Sequence, residues 1–281
     1  MGLMLDIVPN HMGVLGSDNA WWLNVLEHGP ASPYADYFDI DWYPLSPQLR
    51  GKVLLPVLGD HYGQVLEEGD LKLCFAPEQG EIYIQYLENS FPVDPREYPR
   101  ILDLRADILR PGLGTEHPDT QELATLSDAL RRLPERYSAE AESRAARVRD
   151  GTVYRRLLAE LCARSPEVTA FLQENIMLFN GHPGDAESFD SLHQLIEAQA
   201  YRLAFWRVAA DDINYRRFFD INDLAGLRME DPAVFGDTHR LIFRLLSEGR
   251  VNALRIDHPD GLYDPQMYFR RIQAWRDWRQ A

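Results

Sequence analysis

Residues 251–262 read VNALRIDHPDGL, a short apolar run that ends in the charged pattern Arg255-x-Asp257. A second such stretch, GLMLDIVPNHM, occupies residues 2–12 and carries Asp6. Successive side chains of a strand point to opposite faces, so Arg255 and Asp257 share one face. Charged groups at the carboxyl end of an apolar strand cost packing energy, and in an α/β barrel that end forms the mouth of the active site. The two stretches therefore predict buried strands that carry functional groups at their carboxyl ends.

The composition restricts the partners of the protein. Its 281 residues include 29 basic and 44 acidic side chains, for a net charge of −15. Such a surface repels phosphate backbones and anionic membranes, so we expect neither nucleic acid nor a membrane as partner.

No apolar run approaches the roughly 20 residues that span a bilayer, and no secretory leader pattern opens the chain. Cys74 and Cys162 fit no metal-ligand spacing, and two free thiols are typical of a reducing cytoplasm. These features favour a cytoplasmic enzyme with a neutral ligand, no metal and no cofactor.

Hydrophobic periodicity predicts the elements between the two motifs. Alternation over residues 71–87, around Pro77 to Gly80, predicts a hairpin. A helical turn is predicted at residues 18–29, with Asp18 as its N-cap. Apolar spacing near 3.6 predicts longer helices over 119–133, 138–163, 166–179, 187–214 and 231–248, and from 264 to the end.

The predicted organisation is strand, long excursion, helix, strand, helix. The excursion is too long for an ordinary connection, so it must fold as a domain of its own. We expect barrel strand three in residues 1–11 and an inserted domain in 12–230, mixed to about residue 100 and helical after it. Residues 231–281 should form barrel helix three, strand four and helix four.

The two motif stretches resemble regions one and two of the α-amylase superfamily, glycoside hydrolase family thirteen. The matching residues are Asp6, Asn10 and His11 in DIVPNH, and Arg255, Asp257 and His258 in ALRIDH. Three further stretches are similar to the branch of that superfamily that forms trehalose ends on maltodextrins: LLPVLGDHYGQVLEEGDLKL, INYRRFFDINDLAGLRMEDP and LRIDHPDGLYDP.

This resemblance implies an α/β fold. The expected architecture is a partial (β/α)8 TIM barrel, with strands three and four only, and a long, mainly α-helical insertion. The chain is then expected to be an internal piece of a larger enzyme. The general-acid glutamate and a third carboxylate of the superfamily would lie beyond Ala281.

The resemblance also implies roles for the motif residues. Asp257 stands at the place of the nucleophile, and the guanidinium of Arg255 would keep it ionised. Asp6 would pair with Arg255 across neighbouring strands. His11 and His258 stand where the family contacts sugar hydroxyls at the cleavage site.

The implied reaction is an intramolecular transglycosylation of a malto-oligosaccharide. The terminal α-1,4 bond is broken, a glycosyl-Asp intermediate forms, and the released glucose turns and attacks through its anomeric hydroxyl. The product carries an α,α-1,1 trehalose end.

Several alternatives stay open from the sequence. Arg255 and Asp257 could form a structural ion pair. Asn10, assigned here to substrate binding, ligates calcium in many amylases, and His61 and Tyr62 of the GDHYG turn could simply order a loop. The chain could also come from an α-glucan hydrolase of the same superfamily, or act as a non-catalytic glucan-binding or structural module. Two isolated barrel strands would expose open sheet edges, so the chain could self-associate.

Overall fold

The computed structural model describes residues 2–16, 18–106 and 117–280, with side chains as far as Trp275. Helix makes up 49% of the protein and strand 19%, so the expected mixture of α and β structure is confirmed. The chain folds as two compact units. Unit 1 comprises Met1–Val14, Asp36–Asp41 and Tyr215–Ala281, and unit 2 comprises Leu15–Ala35 and Trp42–Asn214.

The described residues form ten strands and ten helices, besides short 3-10 turns. The strands are β1 Met4–Ile7, β2 His11–Gly13, β3 Val53–Leu58, β4 Lys72–Ala76, β5 Glu81–Tyr86, β6 Asn89–Pro92, β7 Tyr201–Phe205, β8 Arg217–Phe218, β9 Ile221–Gly226 and β10 Ala253–Ile256. The helices are α1 Ala20–His28, α2 Tyr62–Glu67, α3 Pro99–Leu102, α4 Pro118–Arg131, α5 Ala141–Arg164, α6 Pro166–Phe179, α7 Asp190–Glu197, α8 Ala209–Asp212, α9 Pro232–Ser247 and α10 Pro265–Gln280.

Unit 1 contains two small sheets and two helices. β1 pairs in parallel with β10, while β2, β9 and β8 form an antiparallel sheet. Asp231 caps the start of α9, because its carboxylate accepts a 2.7 Å hydrogen bond from the backbone N–H of Ala233. The ring Nε2 of His239 on α9 lies 2.7 Å from the Tyr268 hydroxyl on α10, and this buried contact joins the two helices.

Unit 2 combines helices with two further sheets. β3 and β7 pair in parallel, and β4, β5 and β6 form an antiparallel meander. The core is apolar; among its fully buried members are Val25, Leu58, Leu71, Ile84, Leu158 and Tyr201. Cys74 and Cys162 are both free thiols.

A group of charged side chains is buried inside unit 2. Arg147 forms a buried ion pair with Asp94, and Arg155 lies 2.8 Å from the carboxylate of Glu27. Burial raises the pKa of Glu27 to about 7 and lowers the pKa of its neighbour His28 to about 3. Neither ring nitrogen of His28 has a hydrogen-bond partner within the part of the chain that the structure describes. His28 is therefore held neutral in the folded state.

Most of the elements predicted from periodicity are present. The hairpin of residues 71–87 is confirmed as β4 and β5, and the helices predicted over 119–133, 138–163, 166–179 and 231–248 are confirmed within a few residues at each end. The helix predicted from residue 264 is α10. The helix near residue 20 is capped by Asn19 rather than Asp18, because the Asn19 side chain accepts from the backbone N–H of Trp22.

The predicted helix over 187–214 is wrong. Residues 190–197 are helical, but 201–205 form β7, which pairs with β3. The stretch YRLAF can bury Tyr201 and Leu203 on one face when a partner strand is available, and this tertiary pairing overrides the helical pattern.

Parts of the predicted insertion lie with the motif segments. Residues 12–14, 36–41 and 215–230 were assigned to the insertion, and they fall in unit 1. Among the helices that the structure describes, none has the length and apolar content needed to cross a bilayer.

Candidate active site

Arg255 lies between two carboxylates at the β1–β10 pair. The parallel register places Asp6 opposite Arg255, and the guanidinium donates one hydrogen bond to Asp6. A second bond, 2.9 Å long, goes from Nη2 of Arg255 to Oδ1 of Asp257. The two carboxylates raise the pKa of Arg255, the hydrogen bond to Asp6 contributing most. The guanidinium therefore stays charged and holds both carboxylates through hydrogen bonds.

The charged side chains of Asp6, Arg255 and Asp257 face solvent. The side chains of Asp6 and Arg255 are each 56% exposed, and that of Asp257 is 30% exposed. The sequence predicts buried strands, which would enclose the Asp6–Arg255 pair. In the structure, both side chains lie on a face of the sheet that is exposed to solvent. The ion pair is thus confirmed, but it is not buried.

Asp257 stands where β10 ends and the chain turns. Its backbone N–H donates to the carbonyl of Ile7 at 2.9 Å, which extends the ladder one residue beyond the strand. His258 then adopts a left-handed conformation, with φ of 46°. This turn places Nε2 of His258 3.7 Å from Oδ2 of Asp257. A non-glycine residue in this conformation is strained, and such strain commonly occurs at functional sites.

His11 is held by an aromatic stack. Its ring lies 4.1 Å from that of Phe218, nearly parallel, and the Phe218 ring also contacts His258 edge-on at 4.9 Å. Burial is the main cause that lowers the pKa of His11, with further lowering by His258 and Arg216. A neutral imidazole can both donate and accept a hydrogen bond, which suits contact with hydroxyl groups.

The side chain of Asn10 contacts the ring of His11. It is 1% exposed, and its Oδ1 lies 2.8 Å from Nδ1 of His11. Gly261 packs against the Asn10 amide so closely that a Cβ there would come within 2.0 Å of Nδ2. The described residues contain no group of three or more His, Cys, Asp or Glu side chains placed to hold a metal. Asn10 therefore contacts protein groups in this structure.

Arg216 ties together the backbone around these residues, and the sequence motifs did not identify it. Its guanidinium donates to Asp39 Oδ2 at 2.9 Å, to the Gly261 carbonyl at 3.1 Å and to the Leu227 carbonyl at 2.8 Å. The only sequence signal was the run YRRFF at 215–219, which lies within unit 1. Three fixed-geometry bonds make Arg216 a positioning residue for the turn after Asp257.

The comparisons with known proteins agree on one kind of enzyme. No protein-family model matches the sequence. A Mycobacterium tuberculosis protein named "Putative maltooligosyl trehalose synthase" is 29% identical over 283 aligned positions, which cover 97% of this chain and 22% of that protein. The solved maltooligosyltrehalose synthase from Arthrobacter ramosus is 30% identical, with a TM-score of 0.55, over 98% of this chain and 23% of the other.

The chain is similar to maltooligosyltrehalose synthases along nearly its whole length. A further solved structure, the DSM5389 glycosyltrehalose synthase, is 24% identical with a TM-score of 0.56 and supports the same fold. The chain spans less than a quarter of the length of the Mycobacterium and Arthrobacter relatives. The similarity thus concerns one portion of the synthases.

Chemically, the cluster offers two carboxyl groups, one fixed cation and two imidazoles. Within the described residues, the side chains that form a hydrogen bond or an ion pair with Asp257 are those of Arg255 and His258, and neither carries a carboxyl group. An ionised carboxylate next to a guanidinium can attack an electrophilic carbon. Donation of a proton to a leaving oxygen requires a further acid.

Proposed function

We propose that the chain forms part of an enzyme that isomerises the reducing-end α-1,4 bond of maltodextrins to an α,α-1,1 trehalose linkage, in trehalose biosynthesis. The observation that carries the proposal is the parallel pairing of β1 with β10, which sets Arg255 between Asp6 and Asp257. This arrangement occurs in a chain whose relatives are named as synthases of this type. The proposal includes a malto-oligosaccharide as substrate and a cytoplasmic location.

In this proposal each element has a place in a (β/α)8 barrel. β1 is strand three, α9 is helix three, β10 is strand four and α10 is helix four. The inserted domain is unit 2, residues 15–35 and 42–214, which lie within the predicted bounds of 12–230. Strands three and four are neighbours in such a barrel, so their parallel pairing supports this assignment.

The proposed reaction proceeds through a glycosyl ester on Asp257. A carboxylate oxygen of Asp257 forms a bond to the anomeric carbon of the penultimate glucose, and the bond to the leaving oxygen breaks as that oxygen takes a proton from an acid. The released glucose then attacks the ester carbon through its anomeric hydroxyl, whose proton returns to the conjugate base of that acid, and the bond to Asp257 breaks to restore the carboxylate. Arg255 holds Asp257 through its hydrogen bond, Asp6 orients Arg255, and His11 and His258 bind sugar hydroxyls.

Two rival functions differ in product. A hydrolase of the same superfamily would pass the glycosyl ester to water and release reducing sugar. A non-catalytic glucan-binding module would bind maltodextrin without turnover.

The experiment places this chain in the Arthrobacter ramosus synthase, in exchange for the matching segment. With maltohexaose, we expect trehalose-ended product rather than free reducing sugar. Asp257→Asn should lower turnover at least about 10³-fold, which is about 4 kcal/mol in barrier height. Asp260→Asn, three residues further along the same turn, is the matched control and should keep turnover.

The same assay on the 281-residue chain alone should give no turnover, because in this proposal the acid comes from a part of the synthase outside the matching segment. A folded chimera that releases only reducing sugar would favour the hydrolase. Normal turnover by Asp257→Asn would remove the nucleophile assignment.

A further inference from the structure

A second cluster of aromatic side chains lies in unit 2, where β3 and β7 end. These strands pair in parallel, with Leu58 opposite Phe205. The chain continues from β3 into the GDHYG turn, residues 59–63, and from β7 directly into Trp206 and Arg207. The carboxyl ends of parallel strands meet at one edge, and open α/β sheets commonly hold ligands there.

The aromatic rings at this edge form a platform. The ring of His61 lies 5.2 Å from that of Phe205, and Trp206 contacts Phe205 edge-on at 5.9 Å. The Arg207 guanidinium lies 5.3 Å from the centre of the Trp206 ring, a cation–π contact that holds the indole in place. Trp206 is nevertheless 51% exposed. A fixed, open indole face can bind a flat ligand with little loss of side-chain freedom.

A cavity of about 340 Å³ lies against α2, the helix that begins at the residue after His61. Its wall includes Tyr62, the residue after His61, and His193 on α7, and the Tyr62 hydroxyl lies 3.1 Å from Nδ1 of His193. The buried side chain of Phe189 also lines it. This volume falls in the range of small-molecule sites, which is about 300–1,000 Å³.

The same cavity is lined by Glu67, Glu187 and Asp190. Across the described parts of the chain, none of these three side chains has an ion-pair or hydrogen-bond partner. Three free carboxylates repel phosphates and other anions. The residues that the structure describes include no trio of His, Cys, Asp or Glu arranged for a metal. The ligand therefore should offer hydroxyl donors to the carboxylates and an apolar face to the rings, and a neutral sugar offers both.

We propose that this cavity, together with the Trp206 platform, is an oligosaccharide-binding site and that its ligand is an α-1,4-glucan. The choice of an α-1,4-glucan rests on the proposed function. The assignment of a neutral sugar is independent of the proposed function, because it follows from the side chains of the cavity. The residues of this site all belong to unit 2, and none of them is among the groups described around Asp257.

Calorimetric titration of the 281-residue chain with maltohexaose tests the proposal. Trp206→Ala and His193→Ala should each weaken binding about tenfold or more, as expected for an aromatic anchor. Trp206→Phe should retain most of the affinity. Tyr43→Ala removes another exposed aromatic side chain of unit 2 and is the matched control. Circular dichroism of each variant verifies its fold.

Equal affinity in Trp206→Ala, His193→Ala and the wild type would overturn the site, as would calcium binding that depends on Glu187 in place of sugar binding. Cellohexaose that binds through Trp206 while maltohexaose does not would overturn the glucan assignment and count against the proposed function. If neither sugar binds, the oligosaccharide site is wrong but the proposed function is not affected, because turnover by the chimeric synthase and its Asp257→Asn variant tests that function independently.

Discussion

At the scale of single residues, the cluster around Arg255 depends on alternation and register. The two-residue period puts Arg255 and Asp257 on one face, and the parallel register sets Asp6 opposite Arg255. Both contacts could be predicted from the two motifs. Their exposure could not, because it depends on what covers the face of the sheet, and the strand sequences do not specify that.

Asp6→Ala should leave the melting temperature of the chain unchanged, because both members of the Asp6–Arg255 pair are solvent-exposed and exposed pairs contribute little to stability. In the chimeric synthase the same change should lower turnover, since Arg255 loses the carboxylate that orients it. Thermal unfolding and maltohexaose turnover measure the two effects.

Asp36→Ala, which removes the exposed partner of Arg228, is the matched control and should change neither quantity. A clear fall in melting temperature for Asp6→Ala alone would show that the pair carries stability, contrary to its exposure.

At the scale of elements, local patterns were reliable where the chain pairs with near neighbours. The hairpin of β4 and β5 and the long helices follow from periodicity and turn residues. β3 and β7 were not predicted, because they are far apart in sequence and Pro56 argues against a strand at β3. The ladder loses its regular register between Leu55 and Leu58, which accommodates the proline without an N–H donor.

The end of α1 provides a prediction on pH. His28 is 1% exposed, and burial lowers its pKa from 6.5 to about 3. Below pH 6.5 the unfolded chain binds a proton that the folded chain does not, so this group lowers stability as the pH falls from 6.5 towards 3. Glu27 has the opposite sign: its raised pKa lowers stability as the pH rises from 4.5 to about 7.

His28→Leu should therefore change how the free energy of unfolding depends on pH, and not only its value at one pH. The free energy of unfolding of the variant minus that of the wild type should increase by about 1.4 kcal/mol for each unit by which the pH falls from 6 to 4. Urea unfolding at several pH values measures this difference. His182→Leu, an exposed histidine of the same unit, should show no such trend. A constant difference between His28→Leu and the wild type would mean that His28 is protonated in the folded chain.

At the scale of the whole molecule, the site of unit 1 is assembled from the two ends of the sequence. β1 and β10 are separated by nearly 250 residues and meet as a two-stranded parallel sheet. Only the resemblance of the two motifs to one superfamily predicted this pairing, since no local pattern encodes it. The division into units differs from the predicted boundaries because the segment at 215–226 pairs with β2.

The two-stranded sheet predicts self-association of the chain. Large apolar side chains of unit 1 are exposed, namely Leu3, Met4, Val8, Leu241 and Phe269. Open edges and apolar faces favour contact with a second copy. We expect sedimentation that depends on protein concentration, and Met4→Lys should reduce the dependence. Leu178→Lys, an exposed leucine of unit 2, should not. A monomer at all concentrations would contradict this expectation.

The central claim is that Asp257 carries the sugar during the reaction. A fluorinated α-glucosyl fluoride forms a glycosyl ester that turns over slowly, so the chimeric synthase can be labelled and digested. Mass spectrometry of the peptides should find the added sugar on Asp257 and find none after Asp257→Asn. A label on another carboxylate, or continued turnover of maltohexaose by a chimera in which Asp257 is never labelled, would contradict the account.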